Sequence, residues 1–223
     1  MNPHNLNSID KDFFREQLLQ YTKKAFLKLP KMENPKILDV GCGSGVPTLE
    51  LARLSGGEIV AVDSDQNMLD HLNHKIKEHK LEFRVKTIKC SLFKLDFPPK
   101  TFDILWAEGS IYAIGFEKGL REWRPLIKDH DYLVVHDECR DHHEKLRVIK
   151  SCGYRLLDSF VIPHQVWWSD YYQPLEKHLQ KLETQYKDNL KILEALKNEK
   201  KEIKMFKEDP EAYSSIFYVM QKV

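Results

Sequence analysis

The sequence is poor in the features that mark disulfide-linked, membrane-spanning or nucleic-acid-binding proteins. Its four cysteines stand far apart, with no Cys-x-x-Cys pair, so neither a zinc ribbon nor a disulfide framework is predicted. Lys plus Arg (35) nearly cancels Asp plus Glu (34), which leaves no strong field for nucleic acid or anionic lipid. No apolar run has membrane-spanning length, and the first residues lack a signal-peptide core. We therefore predict a cytoplasmic protein without membrane or nucleic-acid partners.

Glycine is also scarce, but three of the nine glycines fall close together. The stretch 36-KILDVGCGSGVPTLELA-52 joins a strand-like apolar run to a helix-like pattern, and Gly41, Gly43 and Gly45 alternate at the junction. Glycines this dense between a strand and a helix let a ligand contact the backbone closely. The glycine loop is therefore predicted to be a ligand site.

The rest of the chain alternates strand-like and helix-like patterns. Seven strands are predicted, at 36–40, 58–63, 85–90, 102–108, 131–138, 154–163 and 215–223. Helices are predicted at 10–29, 46–54, 66–79, 116–127 and 141–152, with further helical sequence at about 164–212. This alternation predicts an α/β fold with a largely parallel sheet covered by helices on both faces. We predict a single domain over 1–223, with 1–34 as a helical extension and 164–212 as a helical insertion.

Two carboxylates distinguish between the ligands that such a loop can bind. The nicotinamide fingerprint Gly-x-Gly-x-x-Gly would place its third glycine at Val46, and Asp39 would repel a pyrophosphate. Asp39 suits a cationic ligand with an amino group, and S-adenosylmethionine carries a sulfonium, an ammonium and no phosphate. Asp63 ends the second predicted strand, where a carboxylate can accept hydrogen bonds from ribose hydroxyls. S-adenosylmethionine is therefore favoured over a nicotinamide cofactor.

The sequence resembles the class I (Rossmann-like) S-adenosylmethionine-dependent methyltransferases. The likeness covers about residues 35–140 and lies in the motifs D-V-G-C-G-S-G, A-V-D-S-D and F-D-I-L-W-A-E-G. Residues 106–123, the Trp-Trp run after strand six and the F-Y-V-M-Q-K terminus also resemble a subgroup of small prokaryotic methyltransferases of unassigned substrate. The resemblance implies a Rossmann-like seven-stranded sheet of order 3-2-1-4-5-7-6, with strand seven antiparallel.

The resemblance also implies which residues bind the cofactor. The methionine moiety would contact Asp39, Gly41, Gly43 and Gly45, and the ribose would contact Asp63. The residues bordering the adenine would be Ser64, Ser91 and Leu92, and Ala107 would face the methionine end. Two positions depart from the family pattern: Ser91 stands where many relatives have an aspartate, and 128-KDHD-131 replaces a Pro-Gly-Gly turn.

Methyl transfer from a sulfonium is an in-line displacement that depends mainly on positioning, and it needs a base only if the nucleophile carries a proton. Three side chains are candidates for orienting or deprotonating the acceptor: Glu108, Tyr112 and His136. Each has a structural alternative. Glu108 would cap a loop, Tyr112 would pack in the core, and His136 would be a buried histidine with satisfied hydrogen bonds.

Two further runs are rich in functional side chains. The run 164-HQVWWSDYY-172 would cover an apolar or cationic acceptor with Trp167, Trp168, Tyr171 and Tyr172, or would anchor the insertion instead. The run 136-HDECRDHHE-144 places His142 and His143 side by side, where they point to different sides of a helix, so no metal site is predicted.

The predicted function is that of a methyltransferase acting on a small-molecule acceptor, as a monomer or homodimer. The alternative is a binding module that retains the cofactor site without methylation and contacts partners through the helical insertion. No sequence motif identifies the acceptor atom.

Overall fold

The seven predicted strands form one sheet in the computed structural model, which describes residues 11–223. The strands are β1 (Lys36–Val40), β2 (Glu58–Asp63), β3 (Val85–Lys89), β4 (Phe102–Glu108), β5 (Ile127–Glu138), β6 (Tyr154–Ile162) and β7 (Ser215–Lys222). Their order is β3-β2-β1-β4-β5-β7-β6. The pairs β1–β2, β1–β4, β2–β3 and β4–β5 are parallel, whereas β5–β7 is antiparallel. The predicted fold class and strand order are confirmed.

Helices connect the strands and follow β6. They are α1 (Asp12–Arg15), α2 (Leu19–Phe26), α3 (Val46–Ser55), α4 (Gln66–Glu78), α5 (Phe116–Trp123), α6 (His142–Ser151), α7 (His164–Val166), α8 (Gln173–Gln185) and α9 (Leu190–Glu208). Short 3₁₀ turns lie at Glu16–Leu18, Ile111–Ala113, Arg124–Leu126 and Pro210–Tyr213, and a π-helix spans Trp167–Tyr172. Among the described helices, none combines the length and apolar character needed to cross a membrane.

Two predicted helices differ from the observed ones. The predicted helix at 10–29 is interrupted in its described part, where a 3₁₀ turn separates α1 from α2. Residues 1–10, which carry the start of the predicted extension, lie outside the described residues. The helix predicted at 116–127 ends at Trp123, and the turn that follows contains Pro125. Proline has no N–H to donate to the α-helical hydrogen-bond pattern, so the α-helix ends before it and the chain continues as a 3₁₀ turn.

Strand β5 begins four residues earlier than predicted and contains an irregularity where the family's glycine turn would stand. Phe102 pairs with Ile127 and Ile104 pairs with Tyr132, so one residue of β4 faces four of β5. The extra residues are the segment 128-KDHD-131, in which His130 adopts a left-handed φ of 67°. A bulge within the strand thus replaces the Pro-Gly-Gly turn.

The described residues fall into two compact units. The sheet unit comprises residues 19–161 and 215–223, and the described part of the helical unit comprises residues 11–18 and 162–214. The core of the sheet unit is apolar and includes Leu38, Val40, Leu105, Ala107 and Val135. The assignment of the whole chain to one domain stays a prediction.

Candidate active site

The glycine loop leaves the sheet directly after β1. The backbone N–H groups of Gly41 and Cys42 both donate to the carbonyl oxygen of Val62, at 2.8 and 3.0 Å, which ties the loop to the end of β2. Gly41, Gly43 and Gly45 have φ values of 74°, 53° and 84°, in the left-handed region that side chains disfavour. The loop therefore takes the tight path that the glycine pattern predicted.

The three glycines differ in what surrounds them. A Cβ at Gly41 would lie 2.4 Å from Cβ of Ser110, and one at Gly45 would lie 2.2 Å from Cδ1 of Leu72, so both positions pack against the protein itself. A Cβ at Gly43 would meet nothing within 4 Å. Gly43 is thus the loop position that leaves room for a ligand.

Asp63, the last residue of the neighbouring strand β2, contacts the glycine loop through its carboxylate. Its Oδ2 accepts a hydrogen bond from the Gly43 N–H at 2.8 Å, and its Oδ1 accepts one from the Asp65 N–H at 2.9 Å. A carboxylate oxygen can accept a second hydrogen bond. The carboxylate is therefore held in one orientation and retains capacity for two hydroxyl donors.

Asp39 lies beneath the loop, and its side chain is 2% exposed. Its Oδ2 accepts a hydrogen bond of 2.6 Å from the Thr48 hydroxyl of α3. Burial raises the pKa of Asp39 to about 7; the Thr48 hydrogen bond lowers it, and the charge of Asp63 raises it further. Thr48 was not predicted, because nothing in the sequence indicates that a residue of α3 reaches this carboxylate.

The residues predicted to border the adenine lie after β2 and β3, which are adjacent parallel strands. The Cys90 N–H donates to the Asp63 carbonyl oxygen at 2.9 Å, so the segment following β3 is tied to the end of β2. Ser64 and Ser91 are exposed and Leu92 is half-buried, with its carbonyl accepting from Nε1 of Trp123 at 3.2 Å. The sheet thus brings these residues to the same edge as Asp63.

Ala107 and Glu108 end β4 but point to opposite faces of the sheet, as successive strand residues do. Ala107 is fully buried in the apolar core, so only its backbone is available to a ligand. The Glu108 carboxylate lies 3.0 and 3.1 Å from the Thr22 hydroxyl and accepts from Nε1 of Trp106 at 3.0 Å. The sequence indicated that Trp106 lies beside Glu108, since residues two positions apart on a strand point to the same face of the sheet. Thr22 of α2 carried no such signal.

His136 is the register partner of Glu108 on β5, so both side chains lie on one face at one edge of the sheet. The His136 ring stacks on Phe217 of β7 at 4.5 Å between centroids. Burial lowers the pKa of His136 to about 4, which keeps the imidazole neutral near pH 7. Tyr112, in the turn Ile111–Ala113, is 72% exposed, so its alternative role in core packing is wrong.

The aromatic run falls in the helical unit, where its four rings differ. Trp168 stacks on Phe206 of α9 at 5.7 Å between centroids. Tyr172 lies 4.5 Å from the same ring, and its hydroxyl donates to Oε1 of Glu202 at 3.1 Å. Tyr171 is buried, whereas Trp167 is half-buried and meets Tyr171 edge-on at 6.0 Å. Trp168 and Tyr172 thus anchor the helical unit internally, and acceptor binding by any of the four stays a prediction.

The run 136–144 makes structural contacts. Nδ1 of His142 lies 2.9 Å from the Tyr218 hydroxyl, and Asp137 forms a buried ion pair of 2.6 Å with Lys145. Within residues 11–223, no group of three or more His, Cys, Asp or Glu side chains is arranged to hold a metal ion.

The sequence matches a family of known proteins and several curated relatives. Residues 37–130 match the model of a family described as "Methyltransferase domain". A sterol 24-C-methyltransferase of Candida albicans is 28% identical over 142 residues, which make up 60% of this chain and 38% of that protein. The chain therefore spans well under half the length of the curated relatives that it matches first.

Two solved structures share the fold at low sequence identity. A putative sarcosine dimethylglycine methyltransferase from Galdieria sulphuraria superposes with a TM-score of 0.77 and 15% identity, over 93% of this chain and 87% of that one. An S-adenosylmethionine-dependent methyltransferase from Geobacter sulfurreducens, in complex with S-adenosyl-L-homocysteine, gives 0.75 and 13%, over 97% and 100%.

Proposed function

We propose that the chain is a class I (Rossmann-like) S-adenosylmethionine-dependent methyltransferase that transfers the methyl group of S-adenosylmethionine to a small-molecule acceptor, which the family match over residues 37–130 and the strand order of the sheet support. The observation that carries this proposal is the pairing of Gly43 with Asp63. Gly43 faces open space, and its N–H fixes the adjacent carboxylate at the ends of two parallel strands. Ligands bind in such sheets at the carboxyl ends of the strands.

Each part of the cofactor has a proposed partner. Asp63 accepts the ribose hydroxyls, and Asp39 attracts the ammonium group of the methionine end. The backbone of Gly41, Gly43 and Gly45 lies against the same end of the cofactor. The adenine is bordered by Ser64, Ser91 and Leu92, and the backbone of Ala107 completes the methionine side. When bound, the cofactor supplies an activated methyl group.

Glu108, His136 and Tyr112 are the proposed acceptor-side residues. The acceptor's lone pair attacks the methyl carbon while the carbon–sulfur bond breaks, and the bonding pair stays on sulfur, leaving S-adenosylhomocysteine. Where the acceptor nucleophile carries a proton, the Glu108 carboxylate takes it and passes it to water. Thr22 and Trp106 support this role, because both donate to Glu108 and fix its orientation. The neutral His136 and the exposed Tyr112 orient the acceptor.

A small acceptor is supported by the relatives and by the charge balance. Several curated relatives, the one from Candida albicans among them, are named for methylation of a sterol, which is a small molecule. The net charge of +1 offers no field for a polyanion. We further propose acceptor binding by Trp167, Trp168, Tyr171 and Tyr172, and a cytoplasmic monomer or homodimer.

Asp63 provides the test of cofactor identity. We expect Asp63→Ala to weaken S-adenosylhomocysteine binding by about 10- to 100-fold, equivalent to roughly 1.4–2.8 kcal/mol, because the ribose hydroxyls lose a charged acceptor. Asp63→Asn keeps one acceptor oxygen and should lose less. Calorimetry measures both, and Asp70→Ala, on the exposed side of α4, is the matched control that should bind like the wild type.

Asp63 also holds the loop, so a second comparison separates ribose contact from loop damage. Analogues without ribose hydroxyls should bind the wild type poorly and be nearly indifferent to Asp63→Ala. Equal discrimination between ribose and deoxyribose analogues by wild type and variant would show that Asp63 is not the ribose acid.

Methyl transfer itself is tested with tritiated S-adenosylmethionine and the small-molecule fraction of a cell extract. The wild type should label a metabolite, and Glu108→Gln should label less at unchanged S-adenosylhomocysteine affinity. Cofactor binding without labelling of any metabolite would favour the alternative, a binding module without methylation.

A further inference from the structure

Asp39 is a buried carboxyl that accepts a hydrogen bond from a neutral donor, the Thr48 hydroxyl. It pairs in register with Ala61 of β2 and Trp106 of β4, so strands flank it on both sides. The donor, Thr48, lies in the first turn of α3 and is itself fully buried. The two side chains therefore form a pair enclosed by the sheet and the helix that follows the glycine loop.

The surroundings of this pair disfavour the ionised carboxyl. The titratable group whose charge acts on Asp39 is Asp63 of β2, which is acidic, and the nearby Cys42 thiol of the loop is not cationic either. Within the described part of the chain, no Lys, Arg or His contributes to its titration. Burial raises the pKa of Asp39 to about 7, so the protonated carboxyl is populated near neutral pH before any ligand binds. A ligand that brings a positive charge reverses this balance.

We propose that Thr48 is a positioning residue for the amino group of the cofactor, and that cofactor binding expels a proton from Asp39. This inference rests on the proposed function. The Thr48 hydroxyl donates to Oδ2 of Asp39 and so fixes the orientation in which the carboxylate receives the ammonium. The O–H bond of the protonated carboxyl breaks, its electron pair stays on the carboxylate, and the proton passes to solvent. No oxidant, reductant or further reactant is involved.

The coupling makes cofactor affinity depend on pH in a defined direction. At pH 8 Asp39 is mostly ionised before binding, whereas at pH 6 it is mostly protonated and must lose its proton first. The linkage relation then gives about tenfold weaker binding at pH 6 than at pH 8. Ligands without the amino group gain nothing from the ionised carboxyl and should show no such dependence.

Calorimetry of the full chain tests the coupling with two probes. S-adenosylhomocysteine carries the amino-acid end, and 5′-methylthioadenosine shares the nucleoside but lacks that end. We expect about tenfold weaker S-adenosylhomocysteine binding at pH 6 than at pH 8, with proton release seen as a dependence of the binding heat on buffer ionisation enthalpy. The affinity of 5′-methylthioadenosine should stay constant. Equal pH dependence for the two probes overturns the proposal.

Thr48 variants test the positioning role. Thr48→Val preserves shape but removes the hydroxyl, so the midpoint of the pH dependence should move upward and S-adenosylhomocysteine affinity at pH 7 should fall several-fold. Thr48→Ser keeps the donor and should behave like the wild type. Affinity for 5′-methylthioadenosine reports damage to the fold, since a merely structural role would weaken both probes alike. An unmoved midpoint in Thr48→Val overturns the role of Thr48.

Failure of this inference is distinguishable from failure of the proposed function. If both probes bind at pH 8 without the predicted difference at pH 6, the cofactor site stands and the proton coupling is wrong. If neither probe binds at any pH, the proposed function and the coupling are both wrong.

Discussion

At the scale of single residues, burial shifts titratable side chains of the sheet toward their neutral forms, and Asp39 and His136 are the two that lie in the candidate site. Asp39 gains a pKa of about 7 and His136 one of about 4, and in both cases desolvation is the largest cause. The two groups have opposite charge types, so the same cause moves their pKa values in opposite directions. The edge of the sheet where both strands end is therefore an environment that suppresses uncompensated charge.

His136 should make the protein sensitive to acid. Its folded pKa of about 4 lies below the value of 6.5 expected without burial, so the unfolded chain binds more protons between these two pH values. Its contribution to stability is therefore complete above pH 6.5 and is lost as the pH falls toward 4, by roughly 3 kcal/mol. Urea denaturation between pH 7 and 4 should show a shallower decline for His136→Gln than for the wild type. An equal loss of stability with falling pH in the wild type and in His136→Gln would contradict the lowered pKa of His136.

Gly43 and Gly45 should respond differently to the same small side chain. Alanine at Gly43 meets open space, so we expect a stability loss of about 1–2 kcal/mol from its left-handed backbone and a loss of S-adenosylhomocysteine binding of at least about tenfold. Alanine at Gly45 adds a collision with Leu72 and should destabilise more. Thermal unfolding and calorimetry separate the two effects. Undiminished affinity in Gly43→Ala would show that no ligand approaches this position.

Sequence reasoning at this scale could identify charged groups but not all of their partners. Asp39 and Asp63 were recognisable as ligand-binding candidates because a carboxylate beside a glycine loop has few structural roles. Their hydrogen-bond donors are a hydroxyl of α3 and backbone amides, which depend on how a helix packs against the sheet. Thr22 likewise reaches Glu108 from 86 positions away. Such pairings are set by tertiary packing, which local patterns do not encode.

At the scale of elements, boundaries were predictable where apolar pattern and turn residues agree. β1, β2 and β4 have the predicted ends, since each is an apolar run bounded by polar or glycine residues. The start of β5 at Ile127 was not predicted, because the next four residues, 128-KDHD-131, are polar and form a bulge stabilised by salt bridges such as Lys128–Asp103. The π-helix was not predicted either, because the sequence at 164–212 indicated helical structure without distinguishing the rare π form from the α form.

The π-helix provides a prediction at this scale. Trp168 stacks on Phe206, so Trp168→Ala should destabilise the protein by about 1–3 kcal/mol, within the usual range for lost packing. Trp167 is half-buried and meets Tyr171 edge-on at 6.0 Å, and Trp167→Ala should cost less stability while altering the KM or kcat for the acceptor at unchanged cofactor affinity. Chemical denaturation and the tritium assay measure the two effects. Equal stability losses would contradict the distinction between the two tryptophans.

At the scale of the whole molecule, the sequence predicted the α/β class from its alternation alone, and the resemblance added the strand order. A sheet order cannot be read from periodicity, because the pattern indicates which residues are buried but not which strands are neighbours. The separation of a helical unit from the sheet unit was anticipated only as an insertion after strand six. The acceptor is undetermined by the fold, since one fold serves many substrates.

The position of β7 has a consequence for how the chain is made. Residues 215–222 lie between β5 and β6 in the finished sheet, although they are synthesised after both. Until they emerge from the ribosome, β5 presents an open edge, and β6 has no neighbour in its final place. Open strand edges template aggregation. A ribosome that stalls before Ser215 would therefore hold a nascent chain that depends on chaperones, and arrested chains ending at 214 should be released from them only when residues 215–223 are supplied.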